Sequence, residues 1–305
     1  MMQELMVYAG QLDCYGRSHE VIKQFLQVEV NASQVYRVTD TYWEELGKTV
    51  NEEKTLAPIK QQETLYVQAD GSMILTREEN WKEVKVGRLF NASDCIRMNE
   101  KPGWIKQSQY VAHLGDHRCF IEQMDKLIES YGSLGERLVF ISDGAPWIRN
   151  WMADTFPDAV SILDYYHATQ YPYPFAESHF TDRQESLRWI EMQKKLLLNS
   201  KVTIVVDNIR KLAHGQPHAR KVLEYFQANQ NRMDYKKYLQ IGCGIIGSGA
   251  IESAHRTVVQ KRLKLSGQRW SKKGAQNMLN LKVTEMNRQW SKAVKLVKTE
   301  FKAAA

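Results

Sequence analysis

The 305-residue chain contains few cysteines and no long apolar run. Its four cysteines form no Cys-x-x-Cys pair, so a zinc ribbon is not supported, and scattered single cysteines favour a reducing compartment over a disulfide scaffold. No apolar stretch approaches the roughly 18 residues that a membrane-spanning helix requires. The opening Met-Met-Gln-Glu-Leu-Met lacks the basic region and apolar core of a secretory signal. We therefore expect a soluble globular protein of the cytoplasm, without a membrane partner.

Positive charge is concentrated at the C-terminal end of the chain. Residues 253–305 hold 13 lysines and arginines against two glutamates, a net charge of +11. The whole chain carries only +7, so residues 1–252 together carry −4. A basic segment beside an acidic body indicates a polyanionic partner. The alternative is a lysine-rich helical surface that is simply solvated.

The middle of the chain has the pattern of a mixed α/β core. Apolar alternation and short continuous apolar runs predict strands, and amphipathic spacing predicts helices between them. Gly71-Ser72 is expected to form the turn of a first hairpin. The predicted strands are 65–69, 73–76, 83–90, 110–113, 137–142 and 159–163, and the predicted helices are 116–131 and 146–156. This order, antiparallel strands followed by helix, strand, helix and strand, is that of a ribonuclease H-like core.

Five regions follow from these patterns and from the composition. We expect a helical segment over 1–50, a polar linker over 51–63, the first part of the core over 64–182, an all-helical insertion over 183–241, and the last part of the core with basic helices over 242–305. The insertion precedes the last acidic residue of the proposed site, which is described below.

The N-terminal segment has features of a helix-turn-helix. Ser18 and Asn31 are suited to cap the second and third of three short predicted helices. In a helix-turn-helix arrangement, Gln34 and Arg37 lie on the exposed face that contacts DNA bases. An ordinary helical cap on the next domain is the alternative interpretation.

Three acidic residues occupy positions suited to metal binding. Asp70 and Asp143 each end an apolar strand and precede a glycine, and Glu252 lies at the start of a predicted helix. Two aspartates at strand ends and a helical glutamate can form an all-oxygen site for hard divalent cations. The alternatives are conformational, because Asp before Gly is common in turns and an acid is favourable at a helix start.

Three further residues are candidates for the same site. Asp164 and His167 follow a predicted strand three residues apart, and they face one cleft if a helix begins there. A buried, hydrogen-bonded histidine is the alternative role for His167. Asp207 also ends an apolar run, but the apolar residues around it repeat at helical spacing, so we interpret it as an exposed helix residue.

The segment after Glu252 carries the side chains expected to contact DNA. Arginine and lysine neutralise phosphates, and an aromatic ring such as that of Trp270 can stack on an unpaired base, although a core position is favoured for this tryptophan. Helical spacing places two of these side chains on the face of Glu252. The expected contacts are His255, Arg256, Lys261, Arg262, Lys264, Arg269, Lys272 and Lys273.

These motifs resemble those of bacterial insertion-sequence transposases of the Kra type. The most specific likeness is the run from Gly247 to Arg256, continued by Lys261-Arg262-Leu263-Lys264 and Gly267-Gln268-Arg269-Trp270. Ala69-Asp70-Gly71 and Ile141-Ser142-Asp143-Gly144-Ala145 look like the first two catalytic regions of that family. The pair Asp164-x-x-His167 is similar to an element of Mutator-like transposases. The likeness covers roughly residues 10–285.

The resemblance implies a ribonuclease H-like DDE transposase that cleaves and rejoins DNA at the ends of an insertion sequence by hydrolysis and transesterification. It implies that Asp70, Asp143 and Glu252 are catalytic acids that bind two Mg²⁺ or Mn²⁺ ions, while Asp164 and His167 organise the site. The implied partners are double-stranded DNA, as element ends and target, and further copies of the chain in a homo-oligomer. The implied location is the bacterial cytoplasm, at the nucleoid.

Two other functions remain open on the same residues. A metal-dependent nuclease without strand transfer would use all three acids, whereas a DNA-binding protein derived from a transposase would need none of them. The chain departs from the resemblance at its start, where relatives often have a longer N-terminal region. We therefore expect either minimal recognition of element ends or a shortened copy.

Overall fold

A computed structural model describes residues 2–50, 63–98, 101–213, 217–291 and 294–295 of the chain. The predicted linker falls almost wholly at 51–62, outside the described residues. The strands in the described part are β1 (Leu65–Thr76), β2 (Asn80–Asn91), β3 (Cys95–Met98), β4 (Lys101–Ile105), β5 (Gln109–Leu114), β6 (Leu138–Ser142) and β7 (Val160–Leu163).

Within these residues, five strands form one mixed sheet in the order β5–β2–β1–β6–β7. Strands β1, β2 and β5 pair antiparallel, whereas β6 and β7 run parallel to β1. The predicted mixed α/β sheet is confirmed. The small antiparallel ribbon of β3 and β4 is an addition, because the sequence pattern did not predict it.

The turn between β1 and β2 lies farther along the chain than expected. Strand β1 runs unbroken to Thr76, which pairs with Asn80. Asn80 has a φ of 56°, the left-handed conformation that often completes a three-residue hairpin loop. The prediction of a turn at Gly71-Ser72 is therefore wrong. Gly71 instead admits a neighbouring side chain, because a Cβ there would lie 2.1 Å from Oε1 of Glu83 on β2.

Helices account for much of the remaining described chain. None of the described helices combines the length and the apolarity that crossing a membrane requires. The helices are α1 (Met2–Leu12), α2 (Tyr15–Leu26), α3 (Ala32–Val50), α4 (His117–Glu129), α5 (Pro146–Thr155), α6 (Tyr165–Gln170), α7 (Pro172–His179), α8 (Arg183–Leu198), α9 (Val202–Leu212), α10 (Pro217–Asn229), α11 (Tyr235–Tyr238), α12 (Gly249–Ala254), α13 (Lys261–Leu263) and α14 (Lys272–Met286).

The described part of the predicted insertion, residues 183–213 and 217–241, consists of helices and short connections, but the helices start earlier than residue 183. Helices α6 and α7 already follow β7 directly, and they pack in one apolar cluster with α8, α9 and α10. Asp207 is exposed on α9, as its spacing predicted.

The central strand β1 divides its side chains between the two faces of the sheet, as strand geometry requires. Leu65, Val67 and Ala69 lie in an apolar cluster with residues of α4 and α5. Tyr66 and Gln68 point to the opposite face, where Tyr66 Oη donates to the Ile241 carbonyl at 2.6 Å. The second face therefore receives the chain that leads into α12.

The N-terminal helices α1, α2 and α3 pack on one another and on α14. Asn31 caps α3 as predicted: its side chain accepts from Gln34 N–H at 2.9 Å, and Gln34 Oε1 accepts from Asn31 N–H at 2.8 Å. This reciprocal pair is a capping box. The N-cap prediction for Ser18 is wrong, because α2 already starts at Tyr15 and the buried Ser18 hydroxyl donates to backbone carbonyls.

A buried arginine joins the sheet to the helices that follow it. Arg232 is 3% exposed, and its guanidinium donates to Ser161 Oγ at 2.7 Å and Ser142 Oγ at 2.8 Å. It also donates to Asn229 Oδ1 at 3.2 Å. No carboxylate of the described residues lies within ion-pair distance, so neutral oxygens alone satisfy this buried cation. Ser142 and Ser161 belong to β6 and β7, so one side chain fixes both strands against helices α6 to α11, which together form the helical unit.

We expect Arg232→Met to destabilise the protein by about 2–3 kcal/mol, because it removes several buried hydrogen bonds and leaves serine hydroxyls without their donor. Urea unfolding followed by circular dichroism measures the change. Arg149→Met is the matched control, since Arg149 is exposed on α5 and its replacement should stay within about 0.5 kcal/mol of the parent. Equal stability of the two variants would contradict the structural role of Arg232.

Candidate active site

Two of the predicted acids lie side by side where the parallel pairing of β1 with β6 ends. Strand β1 itself continues past Asp70 to Thr76, so the prediction that Asp70 ends its strand is wrong. The β1–β6 pairing reaches Gln68 opposite Ile141. Asp70 and Asp143 follow each of these residues by two positions, so the register places them next to one another. Asp70 is still within β1, whereas Asp143 follows the last residue of β6. The N–H groups of Gly71 and Ala145 donate to the two carboxylates at 2.7 and 3.0 Å.

The pKa of Asp70 reflects its burial and the nearby charge of Asp143. Burial raises the pKa of Asp70 to about 6, and the hydrogen bond from Gly71 N–H opposes the rise. The negative charges of Asp143 and Glu83 raise the pKa further, and His167 lowers it. Asp70 is thus a partly desolvated carboxyl next to a second carboxylate, an arrangement that a cation would stabilise.

Asp164 directly follows β7, and its side chain binds the backbone at the start of α6 and in the loop before α12. It is 3% exposed and caps α6 by accepting from Tyr166 N–H at 3.0 Å. The same oxygen accepts from Ser248 N–H at 3.2 Å, in the loop that leads to α12. A helix begins directly after Asp164, which was the condition for Asp164 and His167 to face one cleft.

Helix α12 is fixed to β1 through one buried glutamine. Gln68 is fully buried; its Nε2 donates to the Gly247 carbonyl at 3.0 Å and its Oε1 accepts from Ile251 N–H at 2.9 Å. Gly247 is needed here because a Cβ would lie 2.3 Å from the Tyr166 ring. One side chain, two positions before Asp70, therefore sets the position of the helix that carries Glu252.

Glu252 itself is exposed and belongs to no preformed cluster. Its Oε1 accepts from the Ser248 hydroxyl at 2.8 Å. One turn later the chain forms a rare π-helical segment, His255–Gln260, a geometry often found at functional sites. His255 is 4% exposed, and its Nε2 lies 3.5 Å from Asp70 Oδ2, at the outer limit of hydrogen bonding. The C-terminal end of α12 is thus adjacent to Asp70.

His255 is neutral in this environment. Burial lowers the pKa of His255 to about 4, the Asp70 backbone raises it, and the nearby Lys264 charge lowers it. A neutral imidazole against the Asp70 carboxylate adds no positive charge to the site. His255 therefore supports Asp70 by packing and does not neutralise it.

The helical unit contributes two aromatic residues beside Asp143, Tyr225 and Tyr171, which the sequence patterns did not predict. The Tyr225 hydroxyl, from α10, donates to the Asp143 backbone carbonyl at 3.3 Å. Tyr225 also stacks on Tyr171, with ring centroids 3.4 Å apart, and the His167 ring lies 5.4 Å from that of Tyr171. No motif pointed to these tyrosines, because their role depends on a contact between residues 82 positions apart.

Some of the side chains predicted to contact DNA are buried in the structure. His255 and Arg262 are 4% and 1% exposed, so the prediction that they contact DNA at the surface is wrong. Gln34 is half-buried and engaged in the capping box of α3, whereas Arg37 is exposed. Lys272 is exposed and pairs with Glu79. The remaining predicted contacts are exposed: Arg256, Lys261, Lys264, Arg269 and Lys273.

The described residues therefore bring together part of the predicted site. Asp70, Asp143, Asp164 and His167 converge at the strand ends, and Glu252 lies on a helix docked beside them. No three histidine, cysteine, aspartate or glutamate side chains in the described chain are grouped closely enough to hold a metal ion as they stand. The arrangement is an acidic cleft with its third acid turned toward solvent.

The fold and the cleft define a mixed α/β protein with an acidic site at the ends of parallel strands. Over residues 10–300 the chain matches the model of an uncharacterised protein family, UPF0236. The match covers most of the chain, so the chain belongs to this family. No curated protein matches it.

We expect Gln68→Leu to destabilise the protein by about 2–4 kcal/mol, because it leaves the buried Gly247 carbonyl and Ile251 N–H without partners. Urea unfolding measures the loss, and hydrogen exchange at the amides of α12 should show local loosening that exceeds the global effect. Gln123→Leu is the control, because Gln123 is exposed on α4. Unchanged protection of α12 in the Gln68 variant would contradict the proposed docking of this helix.

Proposed function

We propose that the chain is a DDE-type DNA transposase with a ribonuclease H-like core. The observation that carries this proposal is the placement of Asp70 and Asp143 side by side, two residues beyond the last paired residues of the parallel strands β1 and β6. The Glu252 helix is docked on β1 through Gln68. The strand order supports it as well, since three antiparallel strands continue into two parallel ones, the order expected of such a core.

The residues at the cleft fit a divalent metal by their chemistry. Asp70, Asp143 and Glu252 offer only carboxylate oxygens, which are the ligands that Mg²⁺ and Mn²⁺ prefer. Burial raises the pKa of Asp70, and the charge of Asp143 raises it further, so a bound cation would favour the charged form of this carboxyl. When bound, two such ions would polarise the scissile phosphate and activate the attacking oxygen.

The other residues of the cleft would keep the acids in position. Asp164 joins the end of β7 to the loop before α12, and Tyr225 holds the backbone at Asp143. Glu252 would join the two aspartates by exchanging its hydrogen bond with Ser248 for a metal ligand position. Glu252 is exposed, so core packing does not hold its carboxylate in the present position.

DNA would be held by the exposed basic side chains that surround this helix. Arg256, Lys261 and Lys264 follow Glu252 within three turns, so phosphates bound by them would lie near the acids. We propose double-stranded DNA as the partner, both as element ends and as target, with copies of the chain assembling on it. Arg37, which is exposed on α3, would contact DNA bases.

We expect Asp143→Asn to lower Mg²⁺-dependent cleavage of DNA by about 1,000-fold, because it removes a charge that holds the metal. Cleavage of a labelled duplex carrying the element end measures the effect, and binding of the same duplex in EDTA should stay close to that of the parent. Asp207→Asn is the matched control, since Asp207 is an exposed aspartate on α9.

The same assay separates transposase from nuclease. A transposase joins the cleaved 3′ end to a second duplex, whereas a nuclease leaves only hydrolysed ends. Full cleavage by the Asp143 variant would overturn the proposed catalytic site. Cleavage without joining would leave the site intact and favour the nuclease.

We expect the triple change of Arg256, Lys261 and Lys264 to glutamine to weaken DNA binding equally for all sequences. If each side chain contacts a phosphate, the slope of log Kd against log salt should fall by about 2–3. Fluorescence anisotropy between about 50 and 200 mM salt measures the slope. A control with Lys211, Lys236 and Lys237 changed to glutamine alters three exposed lysines of the helical unit. A slope equal to that of the parent would show that the first three side chains do not contact DNA.

A further inference from the structure

Two cysteines that lie far apart in the sequence are in contact beside the segment that leads into α12. Cys95 is the first residue of β3, and Cys243 lies between two glycines in the loop before α12. The Cys243 thiol donates to the Cys95 sulfur, with 2.9 Å between the two Sγ atoms and 148 positions between the residues. The proposed chemistry of the acidic cleft uses neither thiol.

Both cysteines belong to segments that are anchored to the core. They are half-buried, and they pack with Ile105 and Ile241 against the apolar cluster that contains Tyr66. Cys95 pairs with Ile105 across the β3–β4 ribbon. The loop before Cys243 is held by the Tyr66 hydroxyl, which donates to the Ile241 carbonyl at 2.6 Å. The contact between the two sulfurs therefore joins two fixed parts of the backbone.

The glycines beside Cys243 allow the tight turn that brings its thiol to Cys95. Gly242 and Gly244 have φ values of 52° and 64°, a conformation that glycine adopts at no steric cost. A Cβ at Gly242 would also lie 3.0 Å from the Tyr66 hydroxyl. The loop conformation is thus set by its own sequence as well as by its contacts.

A buried cation lies close to Cys95. Arg88 of β2 is 7% exposed and donates to Ser108 Oγ at 3.0 Å and to the Ala250 carbonyl of α12 at 2.8 Å. Burial lowers the pKa of Arg88, and the neighbouring Tyr110 and Cys95 raise it. A nearby cation favours the thiolate of a cysteine, which is its nucleophilic form. The hydrogen bond that the Cys95 sulfur accepts acts in the same direction, so Cys95 is the thiol suited to react first.

We propose that Cys95 and Cys243 form a dithiol site that hydrogen peroxide oxidises to a disulfide. The Cys95 thiolate attacks one peroxide oxygen and the O–O bond breaks. Cys95 becomes a sulfenic acid, and the leaving hydroxide takes up the proton that Cys95 released. The Cys243 sulfur then attacks the Cys95 sulfur, the S–S bond forms, and the S–O bond breaks as hydroxide leaves with the Cys243 proton as water. The two thiols lose two electrons, which the peroxide gains.

The geometry favours this bond, because the sulfurs need to approach by less than about 1 Å to reach a disulfide length. The bond would tie the β3–β4 ribbon to the loop before α12. Hydrogen bonds already hold this loop on both sides of Cys243, from Tyr66 to Ile241 and from Gln68 to Gly247. A cross-link between residues so far apart restricts the unfolded chain, so oxidation should stabilise the protein.

Oxidation of the full chain carrying Cys14→Ser and Cys119→Ser tests this proposal, because these changes leave Cys95 and Cys243 as the only cysteines. After treatment with hydrogen peroxide, free thiols are blocked with iodoacetamide and peptides are mapped by mass spectrometry without reduction. We expect one link between Cys95 and Cys243 within the chain, which dithiothreitol removes. We also expect the midpoint of thermal unfolding to be at least about 4 °C higher in the oxidised protein.

Cys243→Ser in the same background is the matched control. Without the second thiol, Cys95 should stop at the sulfenic acid, which dimedone traps, and peroxide should no longer raise the unfolding midpoint. In the parent, the disulfide should slow hydrogen exchange at amides 241–247 more than at the amides of α9.

Three results would overturn the proposal: no disulfide in the parent, a link between two chains in place of the internal one, or a peroxide effect on the unfolding midpoint that persists in the Cys243 variant. None of these measurements involves DNA. Their outcome is therefore separate from that of the proposed transposase activity.

Discussion

The architecture of the acidic cleft depends on the buried amide of Gln68. Its two polar atoms are satisfied only by the backbone of the segment that precedes and starts α12, Gly247 and Ile251. A buried amide loses a large free energy if either bond is broken, so this contact fixes both the orientation and the register of the helix. Because Gln68 lies two residues before Asp70 on the same face of β1, an element from the end of the chain is positioned relative to the first strand of the sheet.

The acids themselves work against stability. Asp70 and Asp143 are neighbours, Asp70 is half-buried, and the histidine closest to Asp70 is neutral. Compensation comes from the surroundings: backbone N–H groups donate to both carboxylates, and Arg232 supplies a fully satisfied cation behind β6 and β7. The helical unit is therefore part of the site, since it contributes Arg232 and Tyr225 as well as apolar packing.

Sequence patterns predicted most strands of the main sheet and many of the helices, because strand and helix periodicity are local properties. They also placed Asp70 near Asp143, although β1 continues past Asp70. They failed where a residue's role is set by a distant partner. Gly71 signalled a turn, yet it is required by the Glu83 side chain of the next strand. Arg262 belonged to a basic run, yet it packs between two rings that no local pattern brings together. Gln68, Tyr171 and Tyr225 carried no signal, since their contacts join segments that lie far apart in the chain.

The π-helical segment His255–Gln260 separates two independent anchors of one continuous helix. Before it, α12 is fixed to the sheet, and after it, Arg262 is fixed to Gly10 of the first helix. Two rigid attachments on a regular helix would demand an angular match between them. The wider turns of the π-helical segment change the angle between the two attached parts of the helix, so both can keep their contacts. Ile251 and Ala254 of α12 also pack in one apolar cluster with Val7 and Trp43 of the N-terminal helices, so the helix that carries Glu252 is in direct contact with that end of the molecule.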